Sequence, residues 1–195
     1  MARFADRPLS EAAAQERDAN PYEFARLIAL RILDAAPRSR HQLGERLARR
    51  GVDPEIAERV LDRFEEVGLL DDAAYARMLV ASKRASRGLA PRALSLELRR
   101  AGIDEHTAAV ALAELAEEQA ESDDEIAARL VRRRARSMRG IEEDVAVRRL
   151  VGMLARKGYG PSFAARLARE ILREDRDLGD DGTTLPSEGL SGHHP

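Results

Sequence analysis

The sequence predicts an all-α protein in which three tandem three-helix repeats form an elongated, curved modular body. The first reason is composition. Aromatic residues make up 4% of the 195 residues and Trp is absent, whereas Ala, Leu, Arg and Glu, the strongest helix formers, are frequent. The second reason is one phrase that occurs three times, starting at Leu43, Leu94 and Leu150. Repeats of this length bury little surface alone, so we expect them to stack on their neighbours.

Each copy of the phrase predicts the end of one helix and the start of the next. In the first copy Leu43 and Leu47 are four residues apart, the spacing of one helix face, and Gly51 follows four residues later. Gly predicts the helix end because it adopts the left-handed conformation without the steric penalty of a Cβ. The other two copies are Leu94/Leu98/Gly102 and Leu150/Leu154/Gly158.

Helix starts in the first triplet are predicted by residues that accept hydrogen bonds from free backbone amides, and by prolines at the first helical position. The expected starts are Asn20-Pro21, the capping box Ser39-x-x-Gln42, and Asp53-Pro54. The apolar stripe expected for the first helix is Phe24, Leu27, Ile28 and Ile32.

The later triplets repeat this pattern. In the second, Asp71 or Asp72 is the expected cap, and the stripe is Tyr75, Met78 and Leu79, ending near Gly88. In the third, Ser122-x-x-Glu125 is the expected capping box, and the stripe is Ile126, Leu130 and Val131, ending near Gly140. The last helix starts at Gly160-Pro161, with Phe163, Leu167 and Ile171 on its apolar face.

These spacings divide the chain into five parts. We expect a disordered N-terminal extension at 1–20, repeats at 21–68, 69–121 and 122–173, and an acidic, disordered tail at 174–195. The tail carries 1 basic and 6 acidic side chains, is rich in Gly and has no apolar periodicity.

The sequence contains no catalytic motif. Neither GxxxxGK[ST] nor HExxH occurs, and there is no Cys, so we expect no enzyme, no cofactor and no metal site. His41 and Glu45 have the spacing of two metal ligands, but a solvated helix pair is the preferred interpretation; Asp71-Asp72 is interpreted as a cap rather than a magnesium site. No apolar run reaches the roughly 18 residues of a membrane span, and no signal peptide is evident, so we expect a cytoplasmic protein with no membrane contact.

One basic helix face indicates an anionic partner. Residues 122–173 carry 13 basic and 7 acidic side chains, against 9 and 9 in 21–68 and 7 and 9 in 69–121. The arginines that share a sector of about 120° on one helix are Arg129, Arg132, Arg133, Arg136 and Arg139. Because like charges on one face repel, a phosphate or an acidic surface is the natural partner; an ordinary solvated face is the alternative. Arg31 and Arg134 fall on apolar stripes instead, which predicts partly buried, paired guanidiniums.

The stretch EEVGLLDDAAYARMLVASKRASRGLAPRALSLELRRAGI, residues 65–103, resembles the central signature of the RecX family of recombination regulators. The matching elements are Gly-Leu-Leu-Asp-Asp at 68–72, Tyr75-Ala76, Arg84, Gly88, and Leu94/Leu98/Gly102-Ile103. The resemblance extends over about residues 22–173. Within it we also assign Lys83, Arg84 and Arg87 to the surface that binds the partner or DNA.

The resemblance implies a monomeric bacterial protein that lies in the groove of the filament formed by the RecA recombinase on single-stranded DNA. It implies that the protein limits filament extension, ATP hydrolysis and strand exchange, and so regulates homologous recombination, DNA repair and the SOS response. DNA phosphates inside the filament are a further candidate partner, and whether the protein contacts them directly is left open by the sequence. A helix-turn-helix DNA-binding protein is the alternative, because three-helix units with a Gly turn also occur there. Against it, the first two repeats have no net positive charge.

Overall fold

The computed structural model describes residues 20–118, 121–138 and 140–180, with side chains as far as residue 176. Across these ranges the chain is entirely helical, with nine α-helices, one short 3₁₀ helix and no strand. The helices are α1 (Pro21–Ala35), α2 (Arg40–Arg49), α3 (Pro54–Glu66), α4 (Asp72–Arg87), α5 (Pro91–Arg100), α6 (Glu105–Glu118), α7 (Asp123–Ala135), α8 (Glu143–Arg156) and α9 (Pro161–Asp180); the 3₁₀ helix is Arg136–Met138. The all-α prediction is confirmed for the described part of the chain.

The helices pack in consecutive groups of three, and the described residues divide into two compact units, the first with α1 to α6 and the second with α7 to α9. In the first unit, α1 to α3 surround one apolar cluster and α4 to α6 surround another. In the second unit α7, α8 and α9 contact one another. The two leucines of each phrase are fully buried in their triplet: Leu43, Leu47, Leu94, Leu98, Leu150 and Leu154.

Most of the predicted helix starts and stops agree with the backbone. Asn20 and Asp53 cap α1 and α3, and Asp71 caps α4 by accepting from the Ala74 amide at 2.8 Å. Ser122 and Glu125 form the reciprocal capping box. The Ser122 backbone amide donates to the Glu125 carboxylate, and this hydrogen bond lowers the pKa of the Glu125 carboxyl. The glycines that end the phrase helices have φ values of 71°, 74° and 92°, as expected for left-handed residues. These are Gly51, Gly102 and Gly158.

The buried stripes are rotated relative to the predicted ones. In α1, Leu27 is 42% exposed, and the buried residues are Phe24, Ala25, Ile28 and Ala29. In α4, Met78 is likewise 42% exposed, while Tyr75, Ala76 and Val80 are buried. Small Ala side chains let helices approach closely, and the large apolar side chains beside them then lie at the edge of the contact. A stripe defined by the large apolar residues alone therefore does not coincide with the buried faces of α1 and α4, which include alanines.

Arg31 and Arg134 are exposed, so the prediction that they are partly buried was wrong. The rotation of α1 toward Ala25 and Ala29 moves Arg31 out of the packed face. Arg134 lies one residue before the end of α7, where no further α-helical turn follows and its long stem can carry the guanidinium into water.

The expected start of the disordered tail at residue 174 was too early. Helix α9 continues to Asp180, and Glu174 and Arg176 form ion pairs with Arg132 and Glu143. Residues 1–19, Arg139 and residues 181–195 lie outside the described part of the chain, so the expectations placed on them stay predictions. Within the described residues, no helix combines the length and apolarity that crossing a membrane requires.

Polar contacts join the first two triplets inside the first unit. The buried Ser39 hydroxyl accepts from the Gln42 amide, as predicted, and donates to the Ala101 carbonyl at 2.5 Å. The Gln42 side chain does not close the capping box; its Oε1 accepts from the Tyr75 hydroxyl at 3.0 Å. Residues predicted to be a local cap therefore hold two repeats together.

Candidate interaction surfaces

The arginine face predicted on the seventh helix is exposed but not one continuous α-helical surface. Arg129, Arg132 and Arg133 lie on α7, which ends at Ala135, and Arg136 belongs to the 3₁₀ helix that follows. All four side chains are exposed. The buried face of this segment is formed by Ile126, Ala127, Leu130, Val131, Ala135 and Met138. The predicted separation of a charged and an apolar face is therefore present.

Two of these arginines have carboxylate partners within the molecule. Arg129 donates from Nε and Nη2 to the carboxylate of Glu121, at 3.2 and 2.9 Å. Arg132 Nη2 lies 3.4 Å from Glu174 Oε2. Repulsion among the arginines of this face is thus partly offset inside the molecule at two of them. Exposed pairs of this kind contribute about 0.2–1 kcal/mol, so an incoming anion can displace them.

Arg133 and Arg136 differ from their neighbours. Neither forms an ion pair with any residue that the structure describes. Their charges are thus available at the surface of the second unit without breaking an existing contact. Within the predicted face, these two side chains are the best placed to meet an external anion.

A groove of about 590 Å³ runs beside this face, between α7 and α9. Its apolar floor is Ala128, Phe163 and Leu167, and its charged lining is Glu121, Asp124, Glu125, Arg129, Arg132, Arg166 and Glu170. Phe163 stacks on Tyr159 with ring centroids 6.0 Å apart, and the Arg166 guanidinium lies 5.7 Å from its ring centre. The lining has both signs of charge, which favours a mixed-charge partner segment over a purely anionic one.

Sequence reasoning assigned Phe163 and Leu167 to the core and so missed the groove. Both are only partly buried, because the core positions of α9 are Ala164, Ala168 and Ile171. The available signal was the spacing of Phe163 and Arg166, three residues apart, which brings a ring and a guanidinium together on one helix surface; Tyr159 joins them from the loop before α9.

The second predicted cluster, Lys83, Arg84 and Arg87, does not form one binding surface. Arg84 is 5% exposed and donates from Nη1 to the Leu89 carbonyl at 3.2 Å, so it supports the end of α4 instead of reaching a partner. Lys83 Nζ lies 3.0 Å from Glu97 on α5. Arg87 is exposed in the last turn of α4, where cations stabilise the negative end of the helix dipole. The binding assignment of Arg84 is therefore corrected to a structural one.

Glu97 forms ion pairs with both Lys83 and Arg100. Arg100 Nη1 lies 3.0 Å from its other carboxylate oxygen. The Lys83 hydrogen bond, reinforced by Arg100, lowers the pKa of the Glu97 carboxyl below its ordinary value of 4.5. Lys83 is thus engaged within the second triplet. The first and second predicted clusters belong to different units, and each has its own local partners.

The metal-binding alternative for His41 and Glu45 has a simpler explanation. His41 Nε2 lies 3.5 Å from Glu45 Oε1, and Glu45 also receives Arg49 at 3.0 Å. Among the described residues, no group of three or more His, Cys, Asp or Glu side chains could hold a metal ion. The Asp72 carboxylate, the other candidate metal ligand, already has a partner within the molecule: its Oδ1 accepts from the Arg40 backbone amide at 2.7 Å.

Two family models match the first unit. The model described as RecX, first three-helix domain, matches residues 25–64, and RecX, second three-helix domain, matches residues 71–112. Together they span most of α1 to α3, all of α4 and α5, and the first part of α6.

Curated relatives match over nearly the whole chain. A regulatory protein RecX of Streptomyces coelicolor is 46% identical over 177 residues, covering 89% of this chain and 93% of the relative. A regulatory protein RecX of Thermobifida fusca is 47% identical over 176 residues, covering 86% of this chain and 94% of the relative. The crystal structure of RecX from Lactobacillus salivarius superposes with a TM-score of 0.65 at 18% identity, covering 78% of this chain and 97% of that one, and so shares the fold.

Proposed function

Since the chain belongs to the RecX family of regulatory proteins, we propose that it regulates the RecA recombinase by binding the filament that RecA forms on single-stranded DNA. It limits filament extension, ATP hydrolysis and strand exchange, and so acts in recombination and DNA repair. It works in the cytoplasm as a monomer, through surface contacts and without a cofactor. The family membership supports the regulatory role, and the surface of the second unit supports the manner of binding.

The observation that carries the mode of binding is the pair Arg133 and Arg136. Both are exposed, and neither has a carboxylate partner among the described residues. Two unbalanced cations close together are stabilised when a partner supplies phosphate or carboxylate oxygens. Arg129 and Arg132 can add to the binding by exchanging weak internal partners for the filament.

The test is inhibition of ATP hydrolysis by RecA on single-stranded DNA, titrated with wild type and with R133E/R136E. Removing one partly desolvated charge pair from an interface costs about 1 kcal/mol or more, and charge reversal adds repulsion. We expect the concentration needed for half inhibition to rise at least about tenfold, equivalent to about 1.4 kcal/mol. Arg132 is left in place because a Glu there would face Glu174 and complicate folding.

The matched control is R148E/R149E. These two arginines of α8 are exposed in the same unit, and the control makes the same change in net charge. We expect its inhibition to stay within about twofold of wild type. Rising salt should weaken wild-type inhibition more than that of R133E/R136E, because screening acts on charge pairs that only the wild type makes.

Two results would count against the proposal. If R133E/R136E inhibits as well as wild type at every salt concentration, the arginine face is a solvated surface. If wild type does not inhibit ATP hydrolysis by RecA at all, the proposal that it regulates RecA by binding the filament is wrong. Direct binding to duplex DNA by a helix-turn-helix-like module then becomes the leading hypothesis. Binding to a random duplex without recombinase tests that alternative.

A further inference from the structure

Arginines lie on both flanks of the buried stripe of helix α2, but carboxylates pair with the arginine on only one of the two flanks. Arg40 lies on one side of Leu43 and Leu47 and contacts three carboxylates of α3. Its partners are Glu58, Asp62 and Glu65, at 2.5, 2.7 and 2.8 Å. Burial disfavours the charge of Arg40, but the hydrogen bonds to Asp62 and Glu58 outweigh it and raise its pKa.

The opposite flank collects cations that form no ion pair with a described carboxylate. Arg46 and Arg50 stand one turn apart, about 80–120° around the helix from Arg40, and Arg38 precedes the Ser39 cap. All three are partly buried, and none forms an ion pair with a described residue. Arg49 lies beside them but is 70% exposed and paired with Glu45. The first triplet is neutral in sum, yet its charges are segregated on this helix.

Two observations indicate that the positive charge of these side chains is destabilised in the folded protein. The Nε atom of Arg38 is buried and has no hydrogen-bond partner among the described residues. Burial lowers the pKa of the Arg46 guanidinium, and repulsion from Arg38, Arg49 and Arg50 lowers it further; attraction to Glu45 offsets only part of this. Partly buried charges in proteins are normally paired. An unpaired group of three is therefore unusual for a surface that serves folding alone.

The helix dipole explains only part of this cluster. The carboxyl end of a helix carries roughly half an elementary negative charge, which decays within the last turn. It can favour Arg49 and Arg50, but it offsets less than one of the full charges, and Arg38 lies before the other end of α2. Glu45 attracts Arg46 but is paired with Arg49, so an external anion is the remaining partner that could balance the cluster.

We propose that Arg38, Arg46 and Arg50 form an anion-binding site on the first triplet that takes backbone phosphates of single-stranded DNA. The cations extend from just before the Ser39 cap to the residue that follows α2, a helix about 15 Å long, so a row of phosphates matches them better than one isolated group. Guanidinium forks bind phosphate oxygens with two hydrogen bonds each. The choice of single-stranded DNA rests on the proposed function, but the site itself rests on α2.

The test uses a fluorescent oligo-dT strand and no recombinase, with binding followed by fluorescence anisotropy at several salt concentrations. Replacing the three residues, R38Q/R46Q/R50Q, should weaken binding at low salt at least about tenfold. It should also reduce the slope of log K against log salt by about 2, since each phosphate contact on a single strand contributes about 0.7. A three-charge control in the same unit is R63Q/R77Q/R100Q, whose arginines are exposed and paired with Glu66, Glu114 and Glu97. We expect it to retain the wild-type slope.

Melting temperature gives an independent readout. A binding cluster that repels itself should lose no stability when one charge is removed, so R46Q should melt at or above the wild-type temperature. The proposal is overturned if wild type does not bind oligo-dT, or if both triple variants have the same slope. It is also overturned if the cluster variant loses affinity for an oligo-glutamate peptide but not for DNA, which would make the ligand an acidic protein segment. Because RecA is absent, each of these outcomes leaves the ATP hydrolysis test of the proposed function intact.

Discussion

Gly102 and Gly51 occupy the same position in two copies of the repeated phrase, but replacement of each by Ala should have different consequences. Both have positive φ, 74° and 71°. At Gly51 an added Cβ meets nothing within 4 Å, whereas at Gly102 it would lie 2.3 Å from the Cβ of His41. The two positions therefore separate backbone strain from a steric clash between the first and second triplets.

The expected magnitudes follow from these distances. A left-handed conformation costs an L-residue about 1–2 kcal/mol, so we expect G51A to lower the free energy of unfolding by roughly that amount. G102A should add about 1–3 kcal/mol of overpacking, for a total of about 2–5 kcal/mol. Side-chain rotation cannot relieve the clash, because the closest atom is the His41 Cβ, which is fixed to the backbone of α2.

The assay is urea unfolding followed by circular dichroism at 222 nm, with thermal melting alongside. For a chain of this size, 1 kcal/mol corresponds to about 2–4 °C in melting temperature. A double-mutant cycle with H41G removes the clashing atoms while adding its own helix cost of about 1 kcal/mol. In the H41G background, G102A should cost no more than G51A does in wild type. Equal effects of G51A and G102A in wild type would refute the reasoning.

Two further stability effects are expected in the first unit. Arg40→Met leaves three carboxylates of α3 without their shared cation and should lower the free energy of unfolding in urea by about 1–3 kcal/mol. The control Arg63→Gln removes one exposed pair with Glu66 and should change it by no more than about 0.5 kcal/mol. Similar losses in the two variants would mean that Arg40 is only a surface charge. Because Lys83 lowers the pKa of Glu97, the folded state gains stability above the ordinary carboxyl pKa of 4.5 and loses it as pH falls through the lower folded value. Glu97→Gln should therefore be about 0.5–1 kcal/mol less stable at pH 7, with the two unfolding free energies converging in acid; a difference that does not change with pH would contradict this.

Local features of the sequence were enough to predict the helices. Asn20, Asp53 and Ser122 cap helices through their own side chains, and Gly51 ends one through its own φ. Each of these effects is decided within about four residues. The family resemblance, carried by residues 65–103, is likewise a property of residue order, and the relatives confirm it.

The placement of side chains was predicted less well. Leu27 and Phe163 were assigned to the core, yet one is exposed and the other lines a groove, because neighbouring alanines form the close helix contacts. Arg84 was assigned to a binding surface but is buried. A residue's burial depends on which side of its helix a neighbour covers, and this cannot be read from the helix alone.

The sequence by itself determined that the chain is helical, where most of the helices begin, where the three phrase helices end, and to which family the chain belongs, since all of these depend on short-range propensities or on residue order. Only the tertiary structure decided which charges are balanced. Arg40 and Arg46 lie on one helix and look alike in sequence, but three carboxylates of α3 reach the first and no described carboxylate pairs with the second. Electrostatic pairing falls off with distance in space, and the distances between α2 and its neighbours exist only once the chain has folded.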